Sequence, residues 1–162
     1  MRLGQGVEWA IHTCLNLTWL GAERGVSTAR LAEFYQLPPA YLNKQLQSLV
    51  RAGILASTPG RRGGFSLARG PAAISLLDIV VAIEGSDPLF RCEQILRAGP
   101  GGRPDVDYRE VCLVSGAMRR ADLAWRQELA GRTLADLKAD VERSFPGTPE
   151  ATRGRFAELH DR

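Results

Sequence analysis

Nowhere in these 162 residues is there an apolar run long enough to cross a bilayer. The first dozen residues, MRLGQGVEWAIH, lack the continuous apolar stretch and small-residue cleavage site of a secretory leader, so a cytoplasmic protein with no membrane association is expected. Cysteine is scarce. Three cysteines, an odd number without close spacing, argue against a secreted disulfide framework. Neither a CxxC pair nor zinc-finger Cys/His spacing is present. There is no phosphate-binding glycine loop and no nucleophile–base pair, so an enzyme is not expected. Internal repeats and heptad arrays are also missing. What remains is 44% hydrophobic and 24% charged, ordinary for a folded chain that forms one domain or a small domain with a dimerising appendage.

Charge is unevenly spread. Residues 1–70 hold eight Lys/Arg against three Asp/Glu, whereas residues 71–162 hold thirteen against fifteen. A basic first half (+5) on a mildly acidic second half (−2) suits a nucleic-acid reader that carries an effector segment.

Hydrophobic periodicity and breaker residues predict a mainly α-helical protein with a small β-hairpin. A first helix is expected over Gly6–Leu20, with Val7, Ala10, Ile11, Cys14, Leu15 and Thr18 on the core face and Glu8, His12 and Trp19 on an adjoining stripe. Ser27 can cap a short helix, Thr28–Tyr35, which Gln36-Leu37-Pro38 breaks before a third helix, Pro39–Ala52, ended by Gly53. Two strands, Ile54–Thr58 and Phe65–Ala68, flank the basic turn Pro59-Gly60-Arg61-Arg62-Gly63-Gly64. Ser75 caps a helix over Leu76–Glu84, stopped by Gly85. A long glycine- and proline-rich loop follows, then a helix over Cys112–Ala130 with a broad apolar stripe from Val114 to Leu129, and a short helix over Leu134–Glu142. The resulting organisation is a winged helix–turn–helix domain over 1–85, a loop over 86–111, a dimerisation helix with a short last helix over 112–143, and a flexible polar tail over 144–162.

Two constellations carry chemistry. The ordered set of helix, turn, helix and basic hairpin is the signature of a DNA reader, since a recognition helix buries one side and presents donors and acceptors on the other. Thr28, Tyr41, Asn43, Lys44, Gln47, Ser48 and Arg51 are the candidate contacts on and beside that helix, and Arg61 and Arg62 are candidates for phosphates or the minor groove. The second constellation is Cys92 and Cys112, one near each end of the loop, together with Glu8 and His12 at i, i+4 in the first helix, where one ion could be chelated. Two thiolates, an imidazole and a carboxylate make a four-ligand set for a small iron–sulfur cluster or for zinc. Spacing alone leaves open a reversible disulfide or two unrelated thiols. Cys14 reads as a small core residue.

The segments Val7-Glu8-Trp9-Ala10, Leu31-Ala32, Tyr41-Leu42, Leu49-Val50-Arg51-Ala52-Gly53-Ile54-Leu55, Gly63-Gly64-Phe65-Ser66-Leu67-Ala68-Arg69, Ile74-Ser75-Leu76-Leu77-Asp78-Ile79-Val80 and Ile83-Glu84-Gly85, taken together, resemble the Rrf-two-type family of bacterial winged-helix regulators, which is IscR- and NsrR-like. The likeness runs from Met1 to about Leu137 and is strongest toward the redox-sensing, RsrR-like branch. It implies a homodimer with a long crossing helix, here Cys112–Ala130, that binds a double-stranded, palindromic operator and regulates transcription as a repressor or activator. It also implies an iron–sulfur cluster in each subunit, held by the loop cysteines with further ligands from the partner's first helix.

Three closely spaced cysteines are common in that family, and here only Cys92 and Cys112 lie in the loop. The resemblance therefore points to a 2Fe–2S cluster completed by Glu8 and His12. Imidazole in place of thiolate raises the reduction potential, as at Rieske centres, and this ligand set gives a total charge of about −1, moving to about −2 on reduction. Trp9 and Trp19 are candidate redox-gating groups beside those ligands. The alternative is the same scaffold without a cluster, using Cys92 and Cys112 as a thiol switch or a zinc site.

Overall fold

A computed structural model describes residues 3–21, 25–60 and 63–159. The backbone divides into two compact units, one formed by Arg2–Gly85 with Ala130–Arg162 and the other centred on Ser86–Leu129.

In the first unit, α1 (Gln5–Leu20) is the central element, with Ala10, Cys14, Leu15 and Leu17 buried. Against it pack α2 (Thr28–Phe34) and α3 (Pro39–Arg51). The Ser27 hydroxyl accepts from the Arg30 N–H and starts α2, and Pro39 occupies the first turn of α3, where its missing N–H costs no hydrogen bond. Between these helices Gln36 takes a left-handed backbone (φ 53°), which turns the chain within four residues.

Strands β1 (Leu55–Thr58) and β2 (Gly64–Leu67) form an antiparallel hairpin in the register Leu55↔Leu67 and Ser57↔Phe65. An isolated bridge, Val26↔Phe65, ties the hairpin to the residue just ahead of α2. Gly64 at φ 144° permits this approach, because a Cβ there would lie 2.4 Å from the Val26 carbonyl carbon. Helix α4 (Leu76–Glu84) opens on a complete capping box, with Ser75 and Asp78 satisfying each other's backbone N–H groups. The winged helix–turn–helix read from the sequence is thus present, with ends displaced by a residue at most in these elements.

Two expectations for the C-terminal third are corrected. The last helices belong to the first unit. Helix α7 (Leu134–Ser144; α5, Tyr108–Val111, and α6, Leu113–Ala130, precede it) buries Leu134 completely and is stitched to the start of α4 by Leu76 N–H to Arg132 O and Leu134 N–H to Ile74 O, both 2.8 Å. The tail beyond Ser144 is not frayed. It forms α8 (Thr148–Glu158), whose Phe156 is 2% exposed and stacks on Phe34 with ring centroids 4.6 Å apart. Burying that ring, with Leu159 beside it, supplies the apolar surface that the polar composition of the tail concealed.

The second unit contains a 3-10 turn at Ile95–Arg97, a short α5 (Tyr108–Val111) and the long α6 (Leu113–Ala130). The long helix begins after Cys112 and not at it. Cys112 has an extended backbone (φ −72°, ψ 121°) and forms the joint between α5 and α6, where the Ser115 hydroxyl donates to the Arg109 carbonyl freed by the break.

Candidate nucleic-acid interface and metal site

Helix α3 is divided cleanly. Leu42, Leu46 and Leu49 are fully buried, which commits the opposite face to solvent, and there Tyr41, Asn43, Lys44 and Arg51 are exposed while Gln47 and Ser48 are half-buried. The Thr28 hydroxyl contacts Asn43 Oδ1 (3.3 Å) and the Arg51 guanidinium donates to Ser48 Oγ (2.8 Å), so part of the polar face is already held in place. This is a surface that buries one side and offers donors and acceptors on the other. Arg61 and Arg62 lie outside the described residues.

The candidate ligands fall into two pairs. In the first unit Glu8 and His12 are both exposed, one turn apart on α1. Trp19, expected beside them on a common stripe, is instead 7% exposed, because α7 covers that end of α1 and Glu142 accepts the indole N–H at 2.9 Å. Trp9 is half-buried, with its ring edge-on to Tyr41 at 5.2 Å.

In the second unit Cys92 and Cys112 are free thiols, both half-buried. The Cys92 Sγ lies 4.0 Å from the Tyr108 carbonyl oxygen, and the Cys112 N–H donates to the same oxygen at 3.1 Å. Tyr108 is itself fixed, its N–H donating to Gln94 Oε1 (3.1 Å) and its hydroxyl accepting from the Arg103 N–H (2.9 Å). Arg126 anchors the start of the loop by donating to the carbonyls of Ser86 and Asp87, while its Nε meets Asp122 at 3.2 Å. The glycine- and proline-rich loop is therefore organised by polar contacts around its two cysteines.

Cys14 is different in kind. It is completely buried, and desolvation pushes its thiol pKa up to about 12, which keeps it a neutral core residue as the sequence predicts.

Among the described residues no three His, Cys, Asp or Glu side chains gather into one metal-holding group. Two thiols lie in one unit and a carboxylate with an imidazole lies in the other. Such a donor set fits a 2Fe–2S cluster chemically, since each iron needs two protein ligands in addition to the bridging sulfides.

The three tyrosines of the chain were not given a part in the metal site from the sequence, yet each touches a candidate ligand or its neighbour: Tyr35 meets His12, Tyr41 meets Trp9 and Tyr108 meets Cys92. Their scarcity was the available signal. Helix α6 shows the opposite feature, an apolar surface left uncovered among the described residues: Leu113, Val114 and Met118 are 89%, 64% and 41% exposed.

Residues 3–140 match the Rrf2 family, described as iron-dependent transcriptional regulators. YffB of Lactococcus lactis, named as a helix–turn–helix-type transcriptional regulator, is 31% identical over 145 residues, covering 90% of this chain and 92% of that protein. The protein rrf2 of Nitratidesulfovibrio vulgaris is 29% identical over 141 residues, with 87% and 89% coverage. Among solved structures, the IscR of T. potens superposes with a TM-score of 0.66 at 22% identity (90% of this chain, 91% of that one). CymR, the global cysteine regulator of B. subtilis, superposes with a TM-score of 0.64 at 22% identity (86% and 97%).

Proposed function

The chain belongs to the Rrf2 family of transcriptional regulators, and from that premise we propose that it is a homodimeric, operator-binding regulator whose affinity for DNA follows the state of a 2Fe–2S cluster held by Cys92, Cys112, Glu8 and His12. The observation that carries the DNA half is the polar, exposed face of α3, presented behind a turn and beside a hairpin. Lys44 and Gln47 donate to base edges, Thr28, Tyr41, Asn43, Ser48 and Arg51 position the helix on the backbone, and Arg61 and Arg62 neutralise phosphates. A palindromic operator follows from a two-fold protein.

Support for the sensor half comes from two free, half-buried cysteines that both contact the Tyr108 carbonyl in an ordered loop, Cys92 through its sulfur and Cys112 through its backbone N–H. When bound, the cluster supplies one-electron storage close to the protein surface. Cys92 and Cys112 would hold it as thiolates, and Glu8 and His12, contributed by the first helix of the partner subunit, would complete the set through harder, more readily exchanged bonds. Trp9, against Tyr41 on the reading helix, is the gating group of this reading. Trp19 is assigned to packing, because its N–H is already committed to Glu142. The exposed apolar face of α6 is covered by its two-fold mate. Colour tests the reading most directly: the anaerobically purified dimer should be red-brown and carry acid-labile sulfide, and its operator affinity should change on one-electron reduction.

One observation favours a second reading, in which the same scaffold works without a cluster. Both cysteines are free and touch one carbonyl oxygen, Cys92 through its Sγ and Cys112 through its backbone N–H, and their thiols could serve as a dithiol switch or half of a zinc site. A colourless protein whose DNA affinity responds to thiol oxidants would establish it.

A further inference from the structure

A histidine that binds metal through one ring nitrogen needs its ring plane fixed by something else, usually a hydrogen bond from the other nitrogen. His12 is exposed on α1, and the group set against its ring is Tyr35, edge-on with centroids 5.9 Å apart and planes at 66°. We propose that Tyr35 is the positioning residue for His12 and the mechanical link between the ligand face of α1 and the turn of the helix–turn–helix. This inference rests on the ligand role of His12 proposed above.

The geometry of Tyr35 supports both roles. Its ring touches His12 while its hydroxyl donates to Asn16 Oδ1 at 3.3 Å, so one side chain spans two residues one turn apart on α1. Asn16 is 3% exposed, which makes it a fixed anchor and leaves the ring little freedom to swing. From behind, Phe34 meets Tyr35 edge-on at 4.7 Å, and Phe34 is in turn stacked on Phe156. Edge-to-face contacts of this kind favour one relative ring orientation.

Tyr35 is also the C-cap of α2 and the first residue of the turn that leads to α3. The next residue, Gln36, is left-handed, and the turn is tied by Gln36 N–H to Glu33 O (3.2 Å) and Leu37 N–H to Ala32 O (2.8 Å). Such a turn cannot absorb a displacement of the Tyr35 ring without shifting the end of α2 or the start of α3. A reorientation of His12 is then felt in the register of the reading helix, a coupling between two sites through contiguous packed groups.

The test uses the full-length dimer. Tyr35→Leu removes ring and hydroxyl at a position 37% exposed, and Tyr35→Phe restores the ring alone. With only two histidines in the chain, the His12 ring protons are assigned by their loss in His12→Gln, and proton NMR of the cluster-free protein then reads the Tyr35 contact without any metal. Tyr35→Leu should move those resonances toward the position of an unpacked histidine, and Tyr35→Phe should return them.

In the cluster-loaded, reduced protein, pulsed EPR with 15N-histidine should show a histidine coupling in the wild type that broadens in Tyr35→Leu at unchanged iron and sulfide content. The difference in operator affinity between cluster states should then collapse to about twofold or less. Wild-type histidine coupling together with unmoved His12 resonances or undiminished coupling to DNA in Tyr35→Leu overturns the role of Tyr35 and leaves the ligand reading standing. A wild-type cluster without histidine coupling overturns the ligand reading and this inference with it.

Discussion

Cys92 and Cys112, twenty positions apart in sequence, meet on a single atom, the carbonyl oxygen of Tyr108, which faces the Cys92 sulfur at 4.0 Å and accepts the Cys112 N–H at 3.1 Å. Because Tyr108 is pinned from both sides by Gln94 and Arg103, the pairing is a property of the folded loop. Substituting either cysteine with alanine should strip the cluster, read as loss of visible absorption and of bound iron. Cys14→Ala should leave the visible spectrum unchanged, since its buried, neutral thiol has no part in ligation. A depleted cluster in Cys14→Ala at intact fold would show that the assignment of thiols is wrong.

On α3, the exposed and half-buried polar residues should separate into two behaviours. Lys44→Ala or Gln47→Ala should weaken operator binding and alter base preference, with a lost base contact costing about 1–3 kcal/mol. Replacing Arg61 and Arg62 together should weaken binding to all sequences and make the log–log salt dependence shallower by up to about 2. Fluorescence anisotropy on operator and scrambled duplexes at several salt concentrations distinguishes the two. Unchanged binding in both sets would remove these elements from the interface.

The uncovered face of α6 calls for a mate. Met118→Asp with Ala121→Asp would place like charges within a two-fold seam and should convert the dimer to monomer in sedimentation velocity. Persistence of the dimer would mean that another surface holds the two subunits together.

Phe156 should matter far more than its place near the C-terminus suggests. Its ring stacks on Phe34, and Arg30 both lies over it (5.9 Å) and donates to its carbonyl oxygen. Phe156→Ala should cost about 3–5 kcal/mol in urea denaturation, the range for deleting a buried aromatic ring. A loss under about 1 kcal/mol, the scale of an exposed site, would show that α8 is dispensable.

Acid should weaken one particular tether. Glu142 is held below the usual carboxylate range first by Lys138 and then by the Trp19 indole N–H. A carboxylate whose pKa falls on folding stabilises the protein above its unfolded pKa and loses that contribution as pH drops through the lower folded value. Glu142→Gln should therefore lower the Tm at neutral pH, and the gap to wild type should close below the ordinary carboxylate range. A gap that is constant with pH would assign the effect to packing and not to charge.

Legibility in the sequence followed locality. The bounds of α4 were readable because Ser75, Asp78 and Gly85 are adjacent signals that act within one turn. The division of α3 into a buried and a polar face was equally plain, since its leucines recur at the helical period. Helix α8 was not readable, because only Thr152, Phe156 and Leu159 carry its buried side and their partners, Arg30 and Phe34, lie more than a hundred residues away. The break at Cys112 was hidden for a similar reason. It depends on a hydroxyl, that of Ser115, reaching back to Arg109. In the candidate site the proposed ligands are suggested by residue type, while the tyrosines that touch them and their neighbours are legible only in three dimensions.

The paired bonds Leu76–Arg132 and Leu134–Ile74 make residues 86–129 an excursion whose exit and return are moored in the same unit. Continuity of the backbone through that excursion is then unnecessary for holding the first unit together. A single proteolytic nick in the turn Gly99–Gly102, where Pro100 and Gly101 are exposed, would leave two fragments clasped by α4, α7 and α8, in the manner of a complemented protein. Residues 86–129 are in this sense a cassette, inserted between two parts of one unit.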